Sequence, residues 1–349
     1  MTRTAGRWPA LLLTLSLLAG PAAAASLFGA DSPLPTAEAR MLALITELSS
    51  PRYDGRLAGS PGDALTRRLI QAEFRALGLQ PAGEDGDLQW FETRIASPSP
   101  EDEETDERSP QHGRRVRSAN IAAWLPGQDA RLARELIIIS AHHDHLGPTA
   151  SGQAFYPGAN DNASGVAALL ELARGFATRR DNRRSLLFIA YGAEEQPVMG
   201  SMHHAAHPLP VERGRELILM STVDMIGQGF GEWLRYSAAQ RCGFVQRWLS
   251  ALQQPAAGHA DDYSHEYQAR DDEDSYDFDA GPFAARGVRN RVFGRVAGVA
   301  HYHRSSDTAQ RVEIRPALQF LRSVEDYLRT VDRDGLGRPA AGARPLCSD

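Results

Sequence analysis

Glu135 to Gly147 reads ELIIISAHHDHLG, a short apolar run followed at once by three histidines and an aspartate in four positions, His142 to His145. A strand with one wet face alternates apolar and polar residues. This one is nearly continuous, which predicts burial on both faces, as in the parallel sheet of an α/β protein. The same pattern recurs in NIAAWLPG (120–127), SLLFIAYG (185–192), LILMSTVDMIG (217–227) and VRNRVFGRV (288–296). Segments with apolar residues three and four apart flank these runs: TAEARMLALITELSS (36–50), GDALTRRLIQAEFRALGLQPAG (62–83), GVAALLELARGFATRR (165–180) and RPALQFLRSVEDYLRTV (315–331). They predict helices, the second ending near a C-capping Gly78. Together the elements predict a mostly parallel central sheet covered on both sides. From Leu34 to Phe91 the pattern reads as helical and then loop, with the glycine-rich turn YDGRLAGSPG (53–62) between the two helices.

In open α/β sheets ligands bind outside the carboxyl ends of the strands, so the residues that follow each apolar run matter most. AHHDH follows the first run, Glu194 and Glu195 follow SLLFIAYG, and LILMSTV leads into Asp224. The loop PGANDNASG places Asp161 just ahead of a helix, and HYHRSSDT, with His301 and His303, comes shortly after the last strand. Any one of these alone reads as a cap or turn residue. As a set, imidazole nitrogens and carboxylate oxygens are what a borderline cation such as zinc takes. Neither Cys-x-x-Cys nor His-Glu-x-x-His occurs as an alternative. Two histidines and three carboxylates could hold two metals if one carboxylate bridges, and paired sites suit hydrolytic displacement. Of two adjacent glutamates, one can ligate while its neighbour serves as general base. Within HHDH, extended backbone sends alternate side chains to opposite sides, giving the pairs His142 with Asp144 and His143 with His145. Spacing does not choose between them.

Composition bounds the remaining possibilities. The chain has 349 residues, 42% apolar and 23% charged, with a net charge of −6, so nucleic acid is not expected as a partner. All 38 basic residues are arginine, which excludes a lysine Schiff base and a GxxxxGK[ST] phosphate loop. A basic start, the apolar WPALLLTLSLLAG and then PAAAAS predict a secretory signal peptide over residues 1–25, cut near Ala23 to Ala25. The apolar run is shorter than the ~20 residues of a membrane span, so the mature protein, residues 26–349, is expected as one exported, periplasmic or extracellular domain with no membrane attachment. Cys242 and Cys347 allow one bridge in an oxidising compartment, or two free thiols. SPSPEDEETDERSPQHGRRVRS (97–118) reads as a mobile surface loop, and the acidic DDYSHEYQARDDEDSYDFD (261–279) as a solvated one.

In order, AHHDHLG, GANDNASG, YGAEE, VDMIG and HYHRSSDT resemble the secreted di-zinc aminopeptidases of the bacterial leucyl aminopeptidase and aminopeptidase Y type, relatives of glutamate carboxypeptidase II and glutaminyl cyclase. The resemblance runs from about Thr36 to Val331, and GRLAGSPG and NIAAWLPG are similar to N-terminal elements of that family. It implies a three-layer α/β/α sandwich of the zinc-peptidase type, acting on peptides from the N-terminus. By motif it implies one zinc on His142 and Asp224, a second on Glu195 and His303, and Asp161 bridging them. Glu194 becomes the general base. The family's His-x-Asp pattern selects His142, with Asp144 orienting it without coordinating; His143 and His145 are expected to tolerate substitution, with His145 the runner-up.

This chain also departs from the family. FDAGPF (278–283) stands where relatives carry a Ser-Asp-His-x-Pro-Phe-like stretch, with Ala280 and Gly281 in place of bulkier residues, so substrate preference does not carry over. Tyr276 is a loose candidate for oxyanion assistance. Carboxypeptidase-type di-zinc hydrolases share the ligand order but insert a dimerisation domain of about a hundred residues, an ordinary domain size, and only 78 residues lie between Asp224 and His303. A glutaminyl-cyclase-like acyl transferase needs one zinc, whereas this chain has the full ligand set. A degenerate binding module predicts missing ligands.

Overall fold

The computed structural model describes residues 35–95, 114–229, 233–235, 278–295 and 300–336. The leader over 1–25, both cysteines, Tyr276 and most of the acidic stretch lie outside the described residues.

Helix α1 (Ala37–Leu48) starts where the Thr36 hydroxyl accepts from the Ala39 N–H, and it buries Met41, Leu44, Ile45 and Leu48 at helical spacing. In α2 (Pro61–Ala76), Ser60 caps the Asp63 N–H and Pro61 occupies the first turn, where its missing N–H costs nothing. Gly78 ends α2 as expected. Its φ is +68°, its N–H donates to the Arg75 carbonyl, and the Leu79 N–H reaches back to Phe74.

The strands are β1 (Gln80–Pro81), β2 (Leu88–Ile95), β3 (Arg114–Leu125), β4 (Glu135–His142), β5 (Ser185–Tyr191), β6 (Glu216–Val223), β7 (Trp233–Arg235) and β8 (Asn290–Gly294). They form one mixed sheet in the order β1-β3-β5-β4-β6-β8-β7, with β2 also on β3. The central β5, β4, β6 and β8 are parallel, and the flanks are antiparallel. Helix α3 (Gly165–Arg179) joins β4 to β5, and α4 (Met199–Ala206) joins β5 to β6. A single turn, α5 (Gly281–Ala284), and the long α6 (Ile314–Asp334) complete the α-helices among the described residues. Ile137, Ile139 and Ala141 of β4 pack with α1, α2, α3 and α6 on one face, while Leu136 and Ile138 pack with α4 and α5 on the other. The three layers follow from that split. No helix among the described residues is long and apolar enough to cross a membrane.

Two sequence expectations change. Arg114 to Ser118, read as the end of the loop 97–118, open β3 and pair with Phe91 to Ile95. Their composition is that of a loop, but Val116 and Ser118 turn inward while Arg115 and Arg117 turn out, so the period of two holds. The partner strand β2, read as loop, alternates in the same way, with Gln89, Phe91, Thr93 and Ile95 buried.

The cap makes a stability prediction. An alanine at position 78 must adopt the left-handed backbone, so Gly78→Ala is expected to cost about 1 kcal/mol and lower the thermal midpoint by roughly 2 °C; a differential-scanning melt reads this, and an unchanged midpoint would contradict the capping geometry.

Candidate metal centre

Strand β5 lies on one side of β4 and β6 on the other, and the crossovers β4–α3–β5 and β5–α4–β6 run on opposite faces, which leaves a crevice over the carboxyl end of β4. His142 ends β4 opposite Tyr191, the last residue of β5. Glu194 and Glu195 follow Tyr191 closely, and Asp224 follows β6 directly. The fold therefore brings residues far apart in sequence to one sheet edge.

His142 Nε2 lies 3.2 Å from Asp161 Oδ1, 3.3 Å from Asp224 Oδ1 and 4.0 Å from Glu194 Oε2. His303 Nε2 lies 3.2 Å from Asp161 Oδ2 and 3.2 Å from Glu195 Oε2. Asp161 thus turns one oxygen toward each histidine. His303 adopts a left-handed backbone, φ +52°, and stacks on the Tyr302 ring. His301 is directed elsewhere, with Nδ1 2.8 Å from the Ser306 hydroxyl.

The alternation expected for HHDH holds for His142, Asp144 and His143 and then fails. His143 points away from the centre, with Nε2 3.0 Å from Asp63 Oδ1. His145 comes back to it, because the strand has ended at His142 and the chain bends; its Nδ1 is 2.6 Å from Glu195 Oε1. Asp144 Oδ1 is 3.9 Å from His142 Nδ1, beyond hydrogen-bonding reach. Its carboxylate instead accepts from the backbone N–H of Glu194 at 3.0 Å and of Glu195 at 3.4 Å. Asp144 therefore holds the glutamate turn, and it acts on His142 through charge alone.

The loop carrying Asp161 is stitched down by its neighbours. Asn160 Oδ1 accepts from the Gly227 and Gln228 N–H groups at 2.7 and 3.0 Å. Asn162 Oδ1 accepts from Met225 N–H at 3.1 Å and its amide donates to the Val223 carbonyl at 3.0 Å. The Ser164 hydroxyl donates to the Asn160 carbonyl and accepts from Ile226 N–H. Asp307 accepts from the N–H groups of Asn160 and Asp161, each at 3.0 Å, and from the Gln228 amide. In GANDNASG the polar residues around Asp161 are thus committed to backbone of the turn after β6.

Burial pushes the Glu194 carboxyl well above its ordinary range, with Asp279, Asp224 and Glu195 adding to the effect against His142. Burial acts on Glu195 in the same direction, but His303 and His145 outweigh it and hold Glu195 below its ordinary value. Asp161 likewise stays ionised, because His142 and His303 overcome its burial. Adjacent glutamates are thereby driven apart in acidity. Asp279, inside the FDAGPF stretch but given no role from sequence, is buried beneath this group and pushed up to about 7 by desolvation.

The donor set fits a cation. One imidazole nitrogen carries at most one hydrogen, yet His142 Nε2 and His303 Nε2 each face two carboxylate oxygens. A tetrahedral zinc with bonds of about 2.0–2.1 Å holds its ligand atoms about 3.3–3.4 Å apart, close to the four separations of 3.2 to 3.3 Å seen here.

Residues 120–327 match the model of peptidase family M28. The chain belongs to this family. Over 95 residues it is 43% identical to the uncharacterized protein YfbL of Escherichia coli (strain K12), covering 26% of this chain and 28% of that one. Over 93 residues it is 34% identical to aminopeptidase YwaD of Bacillus subtilis (strain 168), covering 27% of this chain and 18% of that one. The match spans under a third of either relative's length. The M28 fold itself extends further: BSAP, a zinc aminopeptidase from Bacillus subtilis, superposes with a TM-score of 0.63 at 16% identity over 85% of this chain and 96% of that one. A Porphyromonas gingivalis glutaminyl cyclase superposes with a TM-score of 0.61, also at 16% identity, over 84% and 97% of the two chains. At such identities the likeness is one of fold, and it covers both chemistries.

Asn160→Ala is expected to lower the unfolding free energy by about 1–3 kcal/mol, because two buried N–H groups lose their acceptor. Urea unfolding of the chelator-treated protein measures the loss apart from any metal effect.

Proposed function

We propose that the protein is an exported, zinc-dependent aminopeptidase that removes the N-terminal residue of peptides. The observation that carries this reading is the Asp161 carboxylate, which turns one oxygen to His142 and the other to His303. His142 and Asp224 would hold one zinc, Glu195 and His303 a second, with Asp161 shared. When bound, the ions would polarise the scissile carbonyl and make a water acidic near neutral pH.

The chain's own residues supply the rest. Glu194, 4.0 Å from His142 Nε2 and raised by burial, is suited to take a proton from water and pass it to the leaving amine. Asp144 fixes the backbone of Glu194 and Glu195 and so sets base and ligand relative to each other. His145, through its short contact to Glu195, holds the carboxylate that faces His303. Export rests on the leader-like residues 1–25. Peptides are the expected partner.

Chelator-treated protein reloaded with two equivalents of zinc is expected to cleave members of a panel of aminoacyl chromogenic amides, and the stripped protein to cleave none. Absence of cleavage with two equivalents bound would rule out the aminopeptidase reading; cyclisation of an N-terminal glutaminyl peptide without hydrolysis would select the acyl-transferase chemistry instead.

Glu194→Gln is expected to retain both zinc equivalents by metal analysis while turnover falls by about 10²- to 10⁴-fold. Loss of zinc in that variant would make Glu194 a ligand and void the assignment of base.

A further inference from the structure

Arg56 lies in the glycine-rich turn 53–62, outside the ligand motifs, and is completely buried. Asp54, Gly55 and Arg56 are three consecutive left-handed residues, with φ of 44°, 67° and 52°. Such a run is costly for residues carrying a Cβ and persists only where the surroundings enforce it. Here it drives the guanidinium under the metal centre.

Every donor of that guanidinium meets a main-chain carbonyl. Nε donates to His143 at 3.0 Å, Nη1 to Leu48 at 2.8 Å and Pro157 at 2.7 Å, and Nη2 to Gly158 at 2.9 Å and Asp161 at 3.4 Å. None of the five bonds goes to a carboxylate. Two of the three segments gripped belong to the ligand loops: one follows His142 and the other ends at Asp161, while the third is Leu48, the last residue of α1. The backbone of the turn takes part as well, since Gly147 N–H donates to the Gly55 carbonyl at 3.0 Å and His145 N–H to the Arg56 carbonyl at 3.4 Å. Close approach is enforced on the far side, because a Cβ on Gly158, φ +58°, would meet the Arg56 guanidinium at 2.7 Å and the Asp161 carbonyl at 2.2 Å.

A buried cation without a carboxylate partner is normally expensive. Burial does lower the guanidinium, to about 10, but Asp161, Asp307, Asp144 and Glu195 hold it cationic. Asp307 grips the same loop by its N–H groups, while Arg56 grips it by its carbonyls.

We propose that Arg56 is a positioning residue of the metal centre: its planar fork clamps the backbone of His143 and of Pro157 to Asp161, so that the Asp161 carboxylate spans His142 and His303, and its charge stands behind that carboxylate. The inference rests on the two-zinc reading, and zinc binding tests it without reference to hydrolysis. In a chelator competition, wild-type protein is expected to hold two equivalents. Arg56→Met is expected to weaken the more loosely held equivalent by about 10- to 100-fold, the usual effect of removing a group that orients a ligand. Arg56→Lys, which keeps the charge but cannot serve five carbonyls, is expected to fall in between and covers the case where the methionine variant does not fold. Arg184→Met is the control for stability, because Arg184 is buried next to Glu135 at the start of the strands, away from the centre. Its thermal midpoint should fall with zinc affinity unchanged. Wild-type affinity in both Arg56 variants would overturn the proposal, as would an equal loss of affinity in Arg184→Met; fewer than two equivalents on wild-type protein would remove the two-zinc reading and this inference with it.

Discussion

Asp144, Asp161, Glu194, Glu195, Asp224 and Asp279 repel one another across the metal centre, and the histidines and loop contacts around them are set against that repulsion. Two like charges 4 Å apart repel by about 4 kcal/mol at the effective dielectric of a protein site, more than a typical hydrogen bond returns. The chain answers this repulsion differently at each group. Glu195 and Asp161 are held ionised by His303, His142 and His145, whereas burial pushes Glu194, Asp224 and Asp279 up. The same crowding therefore drives the two adjacent glutamates, Glu194 and Glu195, apart in acidity.

The sheet permits this crowding because its centre is parallel. Strands β5, β4 and β6 all end at one edge, and the β4-to-β5 crossover carries α3 on one face while the β5-to-β6 crossover carries α4 on the other, which leaves the edge between them. An antiparallel sheet would have dispersed the same residues between two ends. The apolar face that fills the core beneath, Ile137, Ile139 and Ala141 against α1 and α3, makes the strand ends rigid enough to hold histidine and carboxylate at 3.2 to 3.3 Å.

What could be read in the sequence was what is local. ELIIIS and SLLFIAY are strands because their apolar continuity is a property of neighbouring residues, and the ligand-type residues announce themselves by following those runs. Gly78 was legible because a helix stop needs only its own backbone. Residues whose meaning is tertiary were not legible. Arg56 lies in a glycine-rich turn and what buries it is tertiary, with bonds as distant as the one to Gly158, 102 positions away. Asp307 before a threonine looks like a cap, yet it accepts from Asn160 and Asp161. His145 followed the strand's alternation on paper, whereas the strand stops at His142 and releases it to turn back toward Glu195. Arg114 to Ser118 had loop composition and became strand because β2 was there to pair with them.

The same fold holds zinc aminopeptidases and a glutaminyl cyclase, so the architecture does not choose the reaction. The choice must lie in the residues of the edge itself. Here the loop bearing Asp161 is fixed from three directions: by Asn160, Asn162 and Ser164 to the turn after β6, by Asp307 through its N–H groups, and by Arg56 through its carbonyls. The Asp161 carboxylate faces two histidines at once, so an error in its position would be felt at both His142 and His303.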